Sequence, residues 1–292
     1  MTHHAPVEYL LHLADNALIL GQRNAEWCGH GPVLEEDIAL ANISLDLIGQ
    51  ARLLYQHAAA LMNSAAPEAG LARPAPPGGE RPLGTARRGF SAAEDVTEDA
   101  LAYFRDAREF RNYTLLELPH HGPLAGTAAA ERDYATTIAR NFLYSALMVL
   151  LWDGLQRSRD AQLAAIATKA AKEVRYHLRH SRDWLVRLGD GTPASRARMQ
   201  AALAHLMPYT QEFWSGSDAE ATACTHGMGV DTAALRADWN EAVDAALSEA
   251  ALQRPPDAGY LPRGKQGLHS EHLGYLLSEM QGLARQHPGA QW

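Results

Sequence analysis

The segment Lys172-Glu173-Val174-Arg175-Tyr176-His177-Leu178-Arg179-His180 carries a carboxylate and two imidazoles at helical spacing. Glu173 and His177 stand one turn apart on a helix, as do His177 and His180, so the three side chains share a face. That is half of a helix-borne metal site. A carboxylate di-iron centre in a helix bundle takes a Glu from each of two helices and a Glu-x-x-His from each of two others. Here Glu173-x-x lands on Tyr176. The sequence holds one literal Glu-x-x-His, Glu117-Leu118-Pro119-His120, and it contains a proline. Proline cannot continue a helix and pushes the preceding residue toward extended geometry, which places this pair at a helix end. The pattern predicts a bundle with no metal ligands and no catalytic residues of its own.

Partners for Glu173 and His177 are offered by Asn42, Asp46 and Gln50, which recur every four residues and form a polar lane with Glu35. A buried polar group left unpaired costs about 1–3 kcal/mol. The lane is therefore expected to meet Glu173 and His177 in a metal-free hydrogen-bond network, the alternative being a lane open to solvent. Amides with one certain carboxylate are a poor cage for two iron ions.

Three further clusters invite chemistry. His269-Ser270-Glu271-His272 packs potential metal ligands closely, yet Ser270 is a good N-cap and Glu271 suits a helix dipole. Arg105, Arg108 and Arg111 recur every three residues beside Phe110, a positive stripe able to grip a phosphorylated ligand unless Asp106 and Glu109 neutralise it. Gly227-Met228-Gly229 reads as a turn only. No glycine-rich phosphate loop and no nucleophile elbow is evident.

These residues must be positioned by helices, because helical periodicity runs nearly end to end and no stretch alternates with period two. A first helix is expected at about Val7–Glu26 and a second at Leu34–Met62. The second is apolar around most of its circumference, as for a helix surrounded by others. Residues 63–89, rich in Pro and Gly, read as a flexible excursion within a single domain spanning 1–292. A third helix, capped at Ser91 or Thr97, is expected to continue to Leu118, and a fourth covers about Glu131–Arg157. Asp160 caps a fifth that ends at Gly189. Thr192-Pro193 opens a sixth, and Pro208 kinks or ends it. Asp231 and Ser270 cap the last two, which end near Leu252 and Gln286. The fold class is all-α: a ferritin-like antiparallel bundle with additional C-terminal helices and no sheet.

At 292 residues, 21% charged and 47% hydrophobic, the composition is that of a globular protein. A formal charge of -8 argues against a nucleic-acid backbone as partner. Two cysteines are too few for a disulfide framework or an iron–sulfur cluster. The start shows no basic and then apolar leader, and the densest apolar run, Ala146–Trp152, is too short to span a bilayer. A cytoplasmic protein with neither membrane nor nucleic acid as partner is expected.

Three stretches together resemble a known family: Asn24 to Arg52 with its Glu26-Trp27-Cys28-Gly29-His30 and Ala41-Asn42-Ile43; Lys172 to Gly191; and Gly267 through Gly274 to Gln291-Trp292. The chain resembles the C-type subunits of bacterial phenylacetyl-CoA ring epoxidases, in the PaaA/PaaC family. That resemblance implies a non-catalytic structural subunit of a multicomponent monooxygenase in aerobic phenylacetate catabolism. It implies no cofactor in this chain, with the di-iron in the catalytic A-type subunit it pairs with and stabilises. NADPH, FAD and an iron–sulfur cluster are implied in a separate reductase, and further small subunits in the assembly. It places phenylacetyl-CoA near a segment matched by Glu109, Phe110, Arg111 and Asn112, where Glu109 replaces an amide. A second contact would fall at Ala221, Thr222 and Ala223.

Two other classes compete: a self-sufficient di-metal oxidase using Glu173, His177, Asp46 and a carboxylate from the first or third helix, and a stand-alone acyl-CoA-binding helical module. Metal analysis of the chain separates the first from a scaffold, and co-purification with a sister chain separates the second.

Overall fold

In the computed structural model, residues 4–65, 95–121, 132–257 and 259–290 are described. Four long helices dominate: α1 (Val7–Ala25), α2 (Leu34–Ala65), α5 (Tyr134–Leu155) and α6 (Ala161–Gly189), with the short α3 (Glu98–Tyr103) and α4 (Thr114–Glu117) between them. Then come α7 (Pro193–Leu206), α8 (Asp218–Thr225), α9 (Arg236–Glu249) and α10 (Glu271–Gln286). Helix α1 packs antiparallel along α2, α5 along α6, and α2 meets α6 to join the two pairs. This is the ferritin-like bundle. Among the described residues there is no strand, only an isolated antiparallel bridge between Arg263 and Leu268.

Local chemistry sets the helix starts. Thr97, Asp133 and Asp160 accept backbone N–H groups at the heads of α3, α5 and α6, and Thr192 and Ser217 form capping boxes at α7 and α8. At Met207 the α-helix gives way to a 3₁₀ segment through Trp214, where Pro208 removes a donor. Asp231 caps a 3₁₀ turn, Thr232–Leu235, that leads into α9. At α10 the expected cap fails: Ser270 sits at the N-cap position but its side chain caps nothing, while its own N–H donates to Glu117 at 2.5 Å.

Other expectations are also corrected. Helix α2 continues to Ala65, so the excursion cannot begin at residue 63; the rest of it, and the Ser91 cap, lie outside the described residues. Helix α5 begins at Tyr134 rather than Glu131. Helix α8 went unforeseen, because residues 215–230 showed only a turn signal. The largest departure is the third helix. It stops at Tyr103, resumes as one 3₁₀ turn at Ala107–Glu109, and runs extended to Tyr113. Phe110, Asn112 and Thr114 are all buried. Tyr113 between them is buried as well, so tertiary burial on both sides of the extended stretch overrides helix propensity here.

Helix α5 is long and apolar enough to cross a membrane by length and composition, but 89% of its most apolar window is buried inside the bundle. It is the central rod, with Ile138, Phe142, Leu147 and Trp152 in a contiguous core that reaches from α1 to α10.

Candidate functional site

The seam between α2 and α6 is a ladder of polar pairs. Asp46 bonds His177 Nε2 at 3.0 Å, Gln50 donates to Glu173 at 2.9 Å, and Glu36 bonds His180 Nε2 at 2.8 Å. Near its far end His57 bonds Asp160 at 2.8 Å. Numbers rise on α2 as they fall on α6, as antiparallel helices require. Four of the five residues expected to form a network therefore do so in two pairs. Asn42 does not, being exposed, and Glu36 rather than Glu35 is the acid that joins. The reason is helical drift. Residues four apart turn about 40° further round the rod at each step, so 42, 46 and 50 wind from solvent into the seam. Gln50 is buried and the Asp46 side chain is 37% exposed. The Glu36 carboxyl is held below the usual range: burial pushes it up, but bonds from Tyr134 and His180 outweigh that.

These donors do not fit a di-iron centre. Of the residues expected at the site, Asn42 and Gln50 are amides, and Glu173 is bonded to Gln50, which leaves too few carboxylates for two iron ions. Helix α5, which would have to contribute ligands, has Asp153 as its one acidic residue, and that side chain pairs with Arg175 at the surface. Glu117 and His120 are drawn into different contacts. Glu117 accepts from Asn112 (2.9 Å) and bonds His269 (2.7 Å), whereas His120 bonds Thr137 (2.6 Å) and the Arg23 carbonyl (2.7 Å). Replacing His177 with Ala strands Asp46 without emptying a metal site. The expected loss is about 1–2 kcal/mol in urea unfolding.

The two histidines beside Glu117 and Pro119 should give stability opposite pH slopes. Burial drives the His120 pKa well below its ordinary 6.5. Its unfolded form therefore takes the proton first, and its contribution is lost as pH falls below that value. For His269, burial lowers the pKa, but Glu117 more than reverses it. Its contribution is whole below 6.5 and is lost as pH rises through the higher folded value. In urea midpoints measured from about pH 5 to 9, His120→Asn should flatten the acid limb and His269→Gln the other.

A second buried constellation holds the segment where the arginine stripe was expected. Arg105 is buried, pairs with Asp15 and Tyr55, and lies over the Phe110 ring at 4.3 Å. Burial works against its charge, but Asp15 more than offsets this and raises its pKa. Arg111 turns onto the carbonyls of Arg108 and Phe110. There is thus no phosphate-gripping stripe along a helix. Extended backbone has donors and acceptors to satisfy, and side chains do it. Asp15 takes the Arg111 N–H (2.7 Å), Asn16 the Tyr113 N–H (2.7 Å), and Glu212 the Thr114 N–H (2.8 Å). His12 bonds the Arg111 carbonyl at 2.6 Å and lies 3.9 Å from Glu220, which Lys265 pairs at 2.9 Å. Gly264 and Gly267 let the following loop press close, since a Cβ at either would strike the carbonyl of Asn112 or Arg108.

Of the two segments expected to touch acyl-CoA, one meets His12 through the Arg111 carbonyl, and the other begins next to Glu220, which lies 3.9 Å from His12. Phe110, Asn112 and Ala223 are buried; Glu109 and Arg111 are half-buried; Ala221 and Thr222 are exposed.

Comparison with known sequences matches the profile described as phenylacetic acid catabolic protein (PaaA/PaaC) over residues 1–75 and 81–292. The chain belongs to the phenylacetic acid catabolic protein family. Within it, this chain is 43% identical over 284 residues to the C-type subunit of the 1,2-phenylacetyl-CoA epoxidase of Escherichia coli (strain K12), covering 97% of this chain and 98% of the relative.

In this member of the PaaA/PaaC family, one cluster among the described residues has the donor chemistry for a metal ion: His4, His57 and Asp160, with ligand atoms within 4.8 Å of one another. In the sequence Asp160 stood out only as a cap. Three residues so far apart along the chain gave no spacing signal.

Proposed function

We propose that this chain is the non-catalytic structural subunit of a phenylacetyl-CoA ring-epoxidising monooxygenase, pairing with a di-iron catalytic subunit and holding it in shape. The similarity to the C-type subunit of such an epoxidase supports the reading. The observation that carries it lies on α2. Beside its polar lane this helix carries two apolar faces, the inner one buried through Leu40, Ile43, Leu47 and Leu54. Its outer face is bare: Leu34 is 72% exposed, Ile38 52%, Leu45 66% and Ile48 37%. These four lie on one stripe about 21 Å long, at about 1.5 Å per residue. An uncovered apolar stripe of that length marks a protein contact. A sister bundle of the same fold offers the matching helix.

The iron belongs to that sister subunit in this proposal, and NADPH, FAD and an iron–sulfur cluster to a separate reductase. Phenylacetyl-CoA would approach the segment 109–112 and residues 221–223. Glu109, Arg111, Ala221 and Thr222 present the accessible edge there, and Phe110, Asn112 and Ala223 hold its shape. Co-expression with a chain bearing two Glu-x-x-His motifs tests the pairing. A stable complex is expected, and failure to co-purify would favour a lone acyl-CoA-binding module.

A further inference from the structure

We infer that His4, His57 and Asp160 form a binding site for one divalent transition ion of the zinc class, independent of the proposed subunit role. The three come from separate elements: the segment before α1, the last third of α2, and the N-cap of α6. His57 and Asp160 are buried, at 6% and 0% exposure, while the His4 side chain is 58% exposed. His57 Nε2 lies 2.8 Å from Asp160 Oδ2, and His4 Nδ1 lies 4.0 Å from the same oxygen. Zinc bonds of about 2.0–2.2 Å in a tetrahedron set ligand atoms about 3.3 Å apart. The observed distances straddle that value. Rotation of the exposed His4 ring supplies the remaining adjustment.

The carboxylate is fixed before any ion arrives. Its Oδ1 accepts the N–H groups of Gln162 and Leu163, each at 3.1 Å, and its Oδ2 accepts that of Ala5 at 2.8 Å. Backbone bonds of this kind are the outer-shell support that orients a metal ligand. They also hold the charge in place. Burial raises the Asp160 pKa, but bonds from His57, Ala5 and Leu163 bring it down to about 2. Two imidazoles and one carboxylate suit zinc and its neighbours, and on the exposed His4 side solvent would supply the fourth ligand. Bound there, the ion would replace the proton between His57 and Asp160 and clamp the segment before α1 onto α2 and α6.

The test uses full-length chain prepared without a polyhistidine tag and stripped with chelator. It is titrated with zinc chloride by calorimetry and with cobalt chloride by visible absorption. About one ion per chain, with cobalt bands of tetrahedral intensity, is expected. His4→Ala, at an exposed position, and His57→Gln, which keeps a donor to Asp160, should each weaken binding at least about tenfold. Far-UV circular dichroism checks that both stay folded, and His4→Ala decides the matter if His57→Gln does not. Absence of saturable binding, or binding that survives both substitutions, overturns the site. So does an equal loss in His3→Ala with His57→Gln unaffected, since that assigns the ion to adjacent imidazoles alone.

Discussion

Replacing Ile38 and Leu45 together with glutamate is expected to leave the chain folded and to abolish the proposed complex with a di-iron sister subunit. Both side chains are more than half exposed in the isolated chain, so the substitutions remove little intramolecular packing. The unfolding midpoint should move by no more than about 0.5 kcal/mol, as for surface positions. In the complex, the same positions would bury two carboxylates against an apolar helix. Uncompensated charge in an interface costs several kcal/mol. A loss of affinity of at least about a hundredfold, or about 2.7 kcal/mol, should appear in pull-down and analytical ultracentrifugation. Equal loss from charges placed on the outer face of α10, at Tyr275 and Leu283, would move the interface elsewhere.

The second large effect lies inside. Asp15→Ala or Arg105→Met should each lower the unfolding free energy by about 3–5 kcal/mol, because each strands a fully buried opposite charge. Arg105 also holds the carbonyls of Leu101 (2.6 Å) and Glu109 (3.0 Å), and Asp15 holds the Arg111 N–H. The damage should therefore spread along residues 105–113 and speed hydrogen exchange there. Asp15→Leu with Arg105→Met should cost less than the sum of the singles, since it removes both charges at once. Urea unfolding followed by circular dichroism gives all four corners of the cycle. A single-mutant loss under about 1 kcal/mol would show that the pair contributes little.

How much of this was legible in the residues depended on range. The long helices α1, α2, α5 and α6 announced themselves through periodicity and caps, since those signals act within a few residues. That the polar lane of α2 meets Glu173 and His177 was one of two readings the spacing allowed; which residue pairs with which, Gln50 with Glu173 and Asp46 with His177, emerged only from the structure. The choice of Glu36 over Glu35 was not readable from four-residue spacing, which drifts round the rod. The break at Tyr103 was invisible for a different reason. It is fixed by Asp15, Asn16 and Glu212, partners about 90 to 100 residues away in sequence. His4 and His57 joined Asp160 in the same unsignalled way. The periodicity of α2 led to the expectation of a rod surrounded by other helices, and this does not hold within the chain itself: Leu34, Ile38, Leu45 and Ile48 are exposed, and the proposed partner would cover them.

The central claim is that this bundle supports a catalytic sister and performs no oxidation itself. The most direct measurement purifies this chain and its Glu-x-x-His sister separately and together, then determines iron per chain and reductase-driven, O₂-dependent turnover of phenylacetyl-CoA. Iron is expected only in the sister chain, with full turnover only when both are present. About two irons bound in this chain, with turnover in the absence of the sister, would contradict the account.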